Sequence, residues 1–492
     1  RLIKEMTGET LDITKIPLDD KKTYELLQKG DTTGVFQFES SGMRRYMKDI
    51  RPTGIEDLIA LVALFRPGPM ELIPSYIKRK HGKEKITYLY PKLEPILKNT
   101  YGIGVYQEQM MQIARDLAGY TLPEADTLRK AIGKKIKSLL DEQKEKLLNG
   151  MAKNGIDKKI AQAIWELFPP FARYGFNKSH AACYAVIGYR TAYLKAHYLE
   201  EFMASLLNSE LNDIERIAFF IQESKLAGLD VLPPDINKSF FNFAPEGEKL
   251  RFGLLAIKNV GSEIAKGIVD ERLRGGPFSG FSDFLTRVQH KDLNKKSLES
   301  LIKAGSFESL GVERKQALEN LDEITRFINS ARRNPIQNGR SVSLFDSSMS
   351  SASLKMKPSK LATSEERLSW EKELLGFYLS DHPLNSYTQK IKEAKAKSIS
   401  EVRLIKDSRM IVRTAGLISS IHRIFTKSGQ PMLFAKIEDF SPKPIEVVVF
   451  NNTLTKTMQI WQENNVVLID GRMSWRDGEP KIICEEARKM EA

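Results

Sequence analysis

The hydrophobic repeat changes its period along the chain, and that change decides what the chain can fold into. Residues 1–235 place apolar side chains at helical spacing, as in Thr23–Lys29, Gly54–Leu64, Gly104–Ala118 and Asp157–Leu167. Thr121-Leu-Pro-Glu124 is a capping box with an early proline, and Gly133 is placed to close that short helix. Ser179 is placed to cap a long helix that reaches about Asn208. Near the end the repeat falls to two residues. Met410–Ile421, Met432–Ile437, Ile445–Phe450, Val466–Trp475 and Lys481–Cys484 read as strands. Lys427-Ser-Gly-Gln430 and Asp477-Gly478 mark turns, and Asn452–Glu463 reads as a helix. Three strands, a helix and two strands is the order of an OB barrel.

Between these regions, Leu232-Pro-Pro-Asp235 is a breaker. Residues 236–330 then hold two similar units. One is Leu255-Ala-Ile-Lys-Asn-Val-Gly261 followed by Ile264–Arg272, and the other is Leu298-Glu-Ser-Leu-Ile-Lys-Ala-Gly305 with further helix after it. Helix, glycine turn, helix is the helix-hairpin-helix pattern, whose turn aims backbone N–H groups at a phosphate without reading bases. Any helical hairpin with a glycine turn looks alike, so it is the pairing that carries the signal. The candidate contacts are Lys258, Asn259, Val260 and Gly261 in the first turn, and Ala304, Gly305 and Ser306 in the second. Residues 331–365 lose periodicity and are rich in serine, which reads as a linker. Val342, Leu344 and Phe345 interrupt it, either as a docking motif or as a segment folded back on its neighbour. The expected fold is therefore multidomain and mainly α, with tandem helix-hairpin-helix units, followed by an all-β OB-fold barrel.

The charge balance narrows the partners. There are 76 basic and 63 acidic residues, a formal net charge of +13, which favours a polyanion such as nucleic acid. Two distant cysteines, Cys183 and Cys484, match no metal or redox spacing and point to a reducing, cytoplasmic setting. The longest strongly apolar run, Ala181–Tyr189, is too short to cross a bilayer. No hydrolase triad, zinc spacing or Walker loop occurs, and Gly102-Ile-Gly104 lacks the context of a dinucleotide site. In the barrel, Phe425, Phe434 and Trp475 are candidates for stacking on single-stranded bases, although the plainer reading makes most of them barrel core.

Five blocks in the helical region carry the candidate chemistry: Thr33–Arg45, Ala63–Met70 with the basic run 78–83, Tyr101–Met111, Ala125–Lys135 and Phe171–Tyr184. The fourth sets Arg129, Lys130, Lys134 and Lys135 around a helix C-terminus. One lysine there is dipole compensation, but four cations in seven positions exceed that need and suit a triphosphate or phosphodiester. The fifth sets Asn177, Lys178, Ser179 and His180 at a helix N-terminus, whose N–H groups and dipole favour an anion. Tyr174 and Phe176 flank it, placed to pack against a base or sugar. A lone histidine near a cap is usually a surface or capping residue; here its neighbours also suit a phosphate site.

These blocks, in this order, resemble the alpha subunits of bacterial DNA polymerase III, the C-family replicative polymerases. The runs that carry the likeness are Arg66-Pro-Gly-Pro69, Tyr106-Gln-Glu-Gln109, Leu128-Arg-Lys-Ala-Ile-Gly-Lys-Lys135, Tyr174-Gly-Phe-Asn-Lys-Ser-His180, Lys195-Ala-His-Tyr198, Leu232-Pro-Pro-Asp-Ile236 and Leu375-Gly-Phe-Tyr-Leu-Ser-Asp-His-Pro383. The resemblance implies fingers over residues 1–235, a helix-hairpin-helix DNA- and clamp-binding domain over 236–330, a linker with a clamp-docking motif over 331–365, and an OB domain over 366–492. It implies Arg129, Lys130, Lys134 and Lys135 near a dNTP triphosphate, and His180 against the sugar, where its bulk excludes a 2′-hydroxyl. Ser341-Val-Ser-Leu-Phe345 resembles the clamp-docking motif, with Leu344 and Phe345 as anchors, and departs from it at Ser341, where the family commonly has glutamine.

The same resemblance implies Mg2+ held by palm carboxylates that precede the fingers. No Asp-x-Asp pair stands in an apolar strand context in this sequence, and Asp19-Asp20 lies in a proline-containing loop. The chain opens in mid-pattern without a methionine and is expected to be a fragment, inactive in phosphoryl transfer by itself. The expected partners are primer–template DNA, dNTP, the sliding clamp and other holoenzyme subunits. Two alternatives stand beside this reading. One is an error-prone translesion paralogue of the family, and the other a non-enzymatic repair protein with helix-hairpin-helix and OB modules.

Overall fold

The computed structural model describes residues 1–491 apart from 135–136, 169–174, 334–353, 380, 427–428, 442 and 477–478. The chain forms two compact units, Arg1–Phe202 and Met203–Ala492. No described helix is long and apolar enough to cross a membrane.

The first unit is helical and, among the described residues, has two apolar clusters. Asp20 caps the Lys21–Lys29 helix by accepting from the Thr23 amide at 2.8 Å. The Ile55–Leu64 helix is buried at every position from Asp57 to Leu64, as expected of a helix that is apolar all round. Asp57 is tolerated there because Lys80 Nζ lies 2.5 Å from its carboxylate and the Thr53 amide donates to it at 2.9 Å. The Lys178–His197 helix packs its Ala181, Ala185, Tyr189 and Ala192 into the same cluster. Gly188 is required on that face: a Cβ there would sit 2.5 Å from the Phe38 ring and 2.8 Å from the Phe36 carbonyl. Overpacking of that kind costs about 1–3 kcal/mol. The second cluster gathers Leu117, Leu128, Leu147, Met151, Ile164 and Phe168.

Helix ends differ from expectation in places. Asn177, not Ser179, caps the Lys178 helix, and its carbonyl Oδ1 accepts from the His180 amide at 2.7 Å. The long helix also breaks at Tyr198, and Leu199–Ser209 is a separate helix. The Leu122–Lys134 helix runs one residue past Gly133.

In the second unit, the Ile214–Leu226 helix is followed by a small sheet that periodicity did not reveal. Strand β1 (Val231–Leu232) pairs in parallel with β3 (Lys249–Arg251), which pairs antiparallel with β2 (Ala244–Glu246). Two- and three-residue strands are too short to show an alternation. Short helices follow, among them Ser262–Gly275, Lys295–Lys303 and Arg314–Glu319. The Ser364–Leu375 helix, capped by the Thr363/Glu366 box, ties this region together. Its buried Glu371 accepts from Arg314 Nη1 at 3.1 Å and from the Leu379 amide at 2.8 Å. Its Leu374 carbonyl accepts from the Lys258 amide at 3.1 Å.

The closed barrel has strands β4 (Ile411–Phe425), β5 (Pro431–Glu438), β6 (Ile445–Val449), β7 (Val466–Arg476) and β8 (Glu479–Lys489), in the order β4-β5-β6-β8-β7. Among the described residues of the barrel, β6 and β8 alone pair in parallel. Leu433, Ala435, Ile437, Val447, Val449, Val467 and Ile469 alternate into the core, as their period-two spacing requires. A bulge between Ile418 and Ser420 lets β4 bend and serve both β5 and β7. The helix after β6 spans Asn451–Thr457, shorter than its apolar pattern suggests. The later apolar residue Trp461 instead enters the core, its Nε1 donating to Thr457 Oγ1 at 2.9 Å. The mainly helical chain with a terminal OB barrel is thus as expected.

The two thiols sit in opposite environments. Cys183 is exposed, whereas Cys484 is buried and its thiol is pushed up to about 12, first by burial and then by nearby Asp470. Because the thiolate is the reactive form, iodoacetamide at pH 8 should modify Cys183 alone in the folded chain. Peptide mass spectrometry should show Cys484 modified only after denaturation.

Candidate nucleotide and nucleic-acid interface

In the first unit, two distant blocks meet across one short parallel bridge, Tyr106 with Phe176. The Gln107 amide donates to the Phe176 carbonyl at 3.0 Å, and the Phe176 amide to the Val105 carbonyl at 3.1 Å. Gln109 holds the near side. Its Oε1 accepts from the Val105 and Tyr106 amides at 2.9 Å, and its Nε2 donates to Thr100 Oγ1 at 2.8 Å and the Ile96 carbonyl at 3.2 Å. Gln107 reaches the far side, where its Nε2 donates to the Gly175 carbonyl at 3.1 Å.

Glu108 completes the bridge. Its carboxylate accepts from the Lys178 amide at 3.0 Å and from Asn177 Nδ2 at 3.1 Å. The helix N-terminus therefore does attract an anion, but that anion is a side chain of the same unit. Lys178 Nζ lies 3.1 Å from Glu56 Oε2 and over the Tyr106 ring, while Ser179 and His180 stay exposed. The His180 ring stands between Phe176 at 5.4 Å and Tyr184 at 4.5 Å, and Tyr184 meets Phe36 at 5.4 Å. The Arg66 guanidinium lies 4.6 Å from the Phe176 ring centre, and burial lowers its pKa. Arg66, Phe36 and Tyr184 thus join a row of rings whose packing could not be read from spacing.

The Leu122–Lys134 helix comes to the same bridge through Arg129, whose Nη1 lies 3.5 Å from Gln107 Oε1. Asp126 accepts from Arg129 at 2.7 Å and lies 2.7 Å from Lys130 Nζ. These hydrogen bonds, Lys130 first and then Arg129, hold the Asp126 carboxyl below its usual range. At the other end of the helix Glu124 accepts from the Thr121 amide and hydroxyl, both at 2.8 Å, as the glutamate arm of the expected box does. Glu124 is driven down to about 2, first by Lys146 and then by Thr121. The Lys134 side chain, Lys135, Arg173 and Tyr174 lie outside the described residues. Two of the four Lys and Arg residues in the basic run 78–83 are committed: Arg79 pairs with Glu84 and Lys80 with Asp57.

In the second unit the two glycine turns are placed differently. The first is outward. Asn259 adopts a left-handed φ of 68°, Lys258 and Asn259 are exposed, and Val260 is buried beneath them. Gly261 caps the 14-residue Ser262–Gly275 helix with open space before it, and Ser262 and Glu263 are exposed at that end. The second turn is inward. Ala304 and Ser306 are buried, and the amides of Ala304, Gly305 and Ser306 donate to the carbonyls of Ser300, Ile302 and Leu301. Gly305 abuts the Arg314 guanidinium, itself held by Glu371. A glycine turn between helices reads the same in sequence whether it faces solvent or core.

On the barrel, Phe425 is 78% exposed and Trp475 is 37% exposed, while Phe434 is half-buried with the Lys481 ammonium 5.9 Å from its ring. None of the three belongs to the barrel core. Val342, Leu344 and Phe345 lie outside the described residues.

Among the described residues, no three His, Cys, Asp or Glu side chains cluster to hold a metal. Asp20 is spent on capping and on His197, whose Nε2 lies 2.9 Å away. The Asp19-Asp20 pair therefore does not fit a two-metal centre.

Comparison with known proteins gives this geometry its context. Residues 1–155 match the model of the bacterial DNA polymerase III alpha subunit finger domain. Residues 228–317 match a helix-hairpin-helix motif, and residues 412–490 an OB-fold nucleic acid binding domain. The chain is 42% identical over 483 residues to the DNA polymerase III subunit alpha of Borreliella burgdorferi, covering 97% of this chain and 42% of that protein. It is 42% identical to the Thermus aquaticus subunit over 92% of this chain and 37% of that protein. Against the Aquifex aeolicus subunit it is 40% identical, over 96% of this chain and 39% of that protein. The chain thus spans about two-fifths of the length of these relatives. With finger, hairpin and barrel models matching in the relatives' company and near-complete coverage of the chain, it belongs to the bacterial DNA polymerase III alpha-subunit family.

Proposed function

We propose that this chain serves a replicative DNA polymerase by receiving the incoming dNTP, gripping primer–template DNA and docking to the sliding clamp. The observation that carries the reading is the bridge at Tyr106 and Phe176. It brings the Leu122–Lys134 helix, with Arg129 and Lys130, to the same place as Asn177, Lys178, Ser179 and His180. A module that only bound DNA would not need both sets assembled in one unit. In this reading Arg129, Lys130, Lys134 and Lys135 take the triphosphate, and His180, held between Phe176 and Tyr184, lies against the sugar. The outward Gly261 turn takes a backbone phosphate, and Phe425 and Trp475 meet single-stranded bases. Leu344 and Phe345 anchor the clamp, with Val342 beside them. Phosphoryl transfer, with its Mg2+, is assigned to the palm carboxylates of the family.

Two tests bear on this. In the complete polymerase, His180→Ala should raise ribonucleotide incorporation and leave dNTP use largely intact; unchanged discrimination would remove the sugar-gate role. The Arg1–Ala492 chain should bind primer–template DNA with little sequence preference. Filter binding at 50 and 200 mM salt should show a steep loss of affinity, because neutralised phosphates release counterions. A parallel primer-extension assay with magnesium should show no added nucleotides. Salt-insensitive binding would contradict the phosphate-contact reading, and clear extension would mean that catalytic carboxylates lie within this chain.

A further inference from the structure

Each cation assigned above to the nucleotide, wherever its side chain is described, already holds a carboxylate. Asp126 Oδ1 accepts from Nε and Nη2 of Arg129 at 2.9 and 2.7 Å, and its Oδ2 lies 2.7 Å from Lys130 Nζ. Glu56 takes Lys178, and Glu108 takes the helix end behind it. These carboxylates are not equally committed. Glu108 is built into the bridge and caps a 20-residue helix, so its removal would undo the site. Asp126 stands one turn before its partners on its own helix, and the Asp126 and Arg129 side chains are 33% and 34% exposed. Pairs this exposed hold little stability and exchange readily for a stronger partner. A polyphosphate is such a partner, because it offers several charged oxygens to the same guanidinium fork and ammonium.

We propose that Asp126 is a resident counter-ion for the nucleotide site: it keeps Arg129 and Lys130 gathered on the helix and gives them up to an arriving polyphosphate. This rests on the nucleotide reading above. Asp126 would then weaken polyphosphate binding in the parent chain, since its charge must be displaced and remains nearby. It would also keep the two cations from collecting weaker anions.

The test is a calorimetric titration of the Arg1–Ala492 chain with inorganic tripolyphosphate at low salt. Three variants accompany the parent: Asp126→Asn, Arg129→Ala and Glu25→Gln. Glu25 is exposed on the Lys21–Lys29 helix and supplies the same loss of one negative charge away from the bridge. Asp126→Asn should bind about fivefold more tightly than the parent, with the gain shrinking as salt screens it. Arg129→Ala should bind more weakly, and Glu25→Gln should match the parent. If Arg129→Ala weakens binding but Asp126→Asn matches or falls below Glu25→Gln, the counter-ion role is overturned and the nucleotide reading stands. If no variant or parent binds tripolyphosphate, or binding ignores Arg129, both are overturned.

Discussion

The first unit depends on one pair of backbone hydrogen bonds, Gln107 to Phe176 and Phe176 to Val105. Two such bonds are a small net stabilisation, about 1 kcal/mol each. They persist because the three residues after Tyr106 each lock one side. Gln109 satisfies four backbone or side-chain groups in a buried position, where an unmade bond would cost about 1–3 kcal/mol. Gln107 fastens the bridge to Gly175 and comes within reach of Arg129. Glu108 fixes the start of the helix that carries His180. Groups from residues 122–134 and 175–184 thereby share one place.

Charge is managed in the same local way. The surplus of +13 suggests an open basic surface, yet Arg129, Lys130 and Lys178 are each matched to a carboxylate. Where burial is deep the matching is structural. Lys80 with Asp57 and Arg314 with Glu371 are almost fully enclosed, and losing one partner of such a pair costs about 3–5 kcal/mol. Where the pair is exposed, as at Asp126, the same chemistry is exchangeable. Depth of burial separates a cation that holds the fold from one available to a ligand.

Much of this was legible in the residues. The Glu124 arm of the Thr121/Glu124 box formed where its spacing placed it, and the barrel strands appeared where the alternation had a period of two. Local patterns of that kind express local physics. What stayed hidden was non-local. The run Tyr106-Gln-Glu-Gln109 stands out as a block, but nothing in it announces that Glu108 will cap a helix 70 residues away. The turns at Gly261 and Gly305 look equivalent in sequence, and only packing against Arg314 turns the second inward. Ser179 was the expected cap because serine favours that position, but Asn177 begins the helix and serves the same purpose two residues earlier. Phe425 lies well outside the core that its apolar character suggests.

We propose one nucleotide site assembled across the bridge from the Leu122–Lys134 helix and the Phe176–Tyr184 segment. Photolabelling the Arg1–Ala492 chain with azido-dATP, followed by peptide mapping, tests it most directly. Label should fall on Phe176–Tyr184 or the adjoining Leu122–Lys134 helix, be lost on competition with unlabelled dATP and be reduced by Arg129→Ala. Label that resists competition, or that falls on the barrel strands alone, would contradict it.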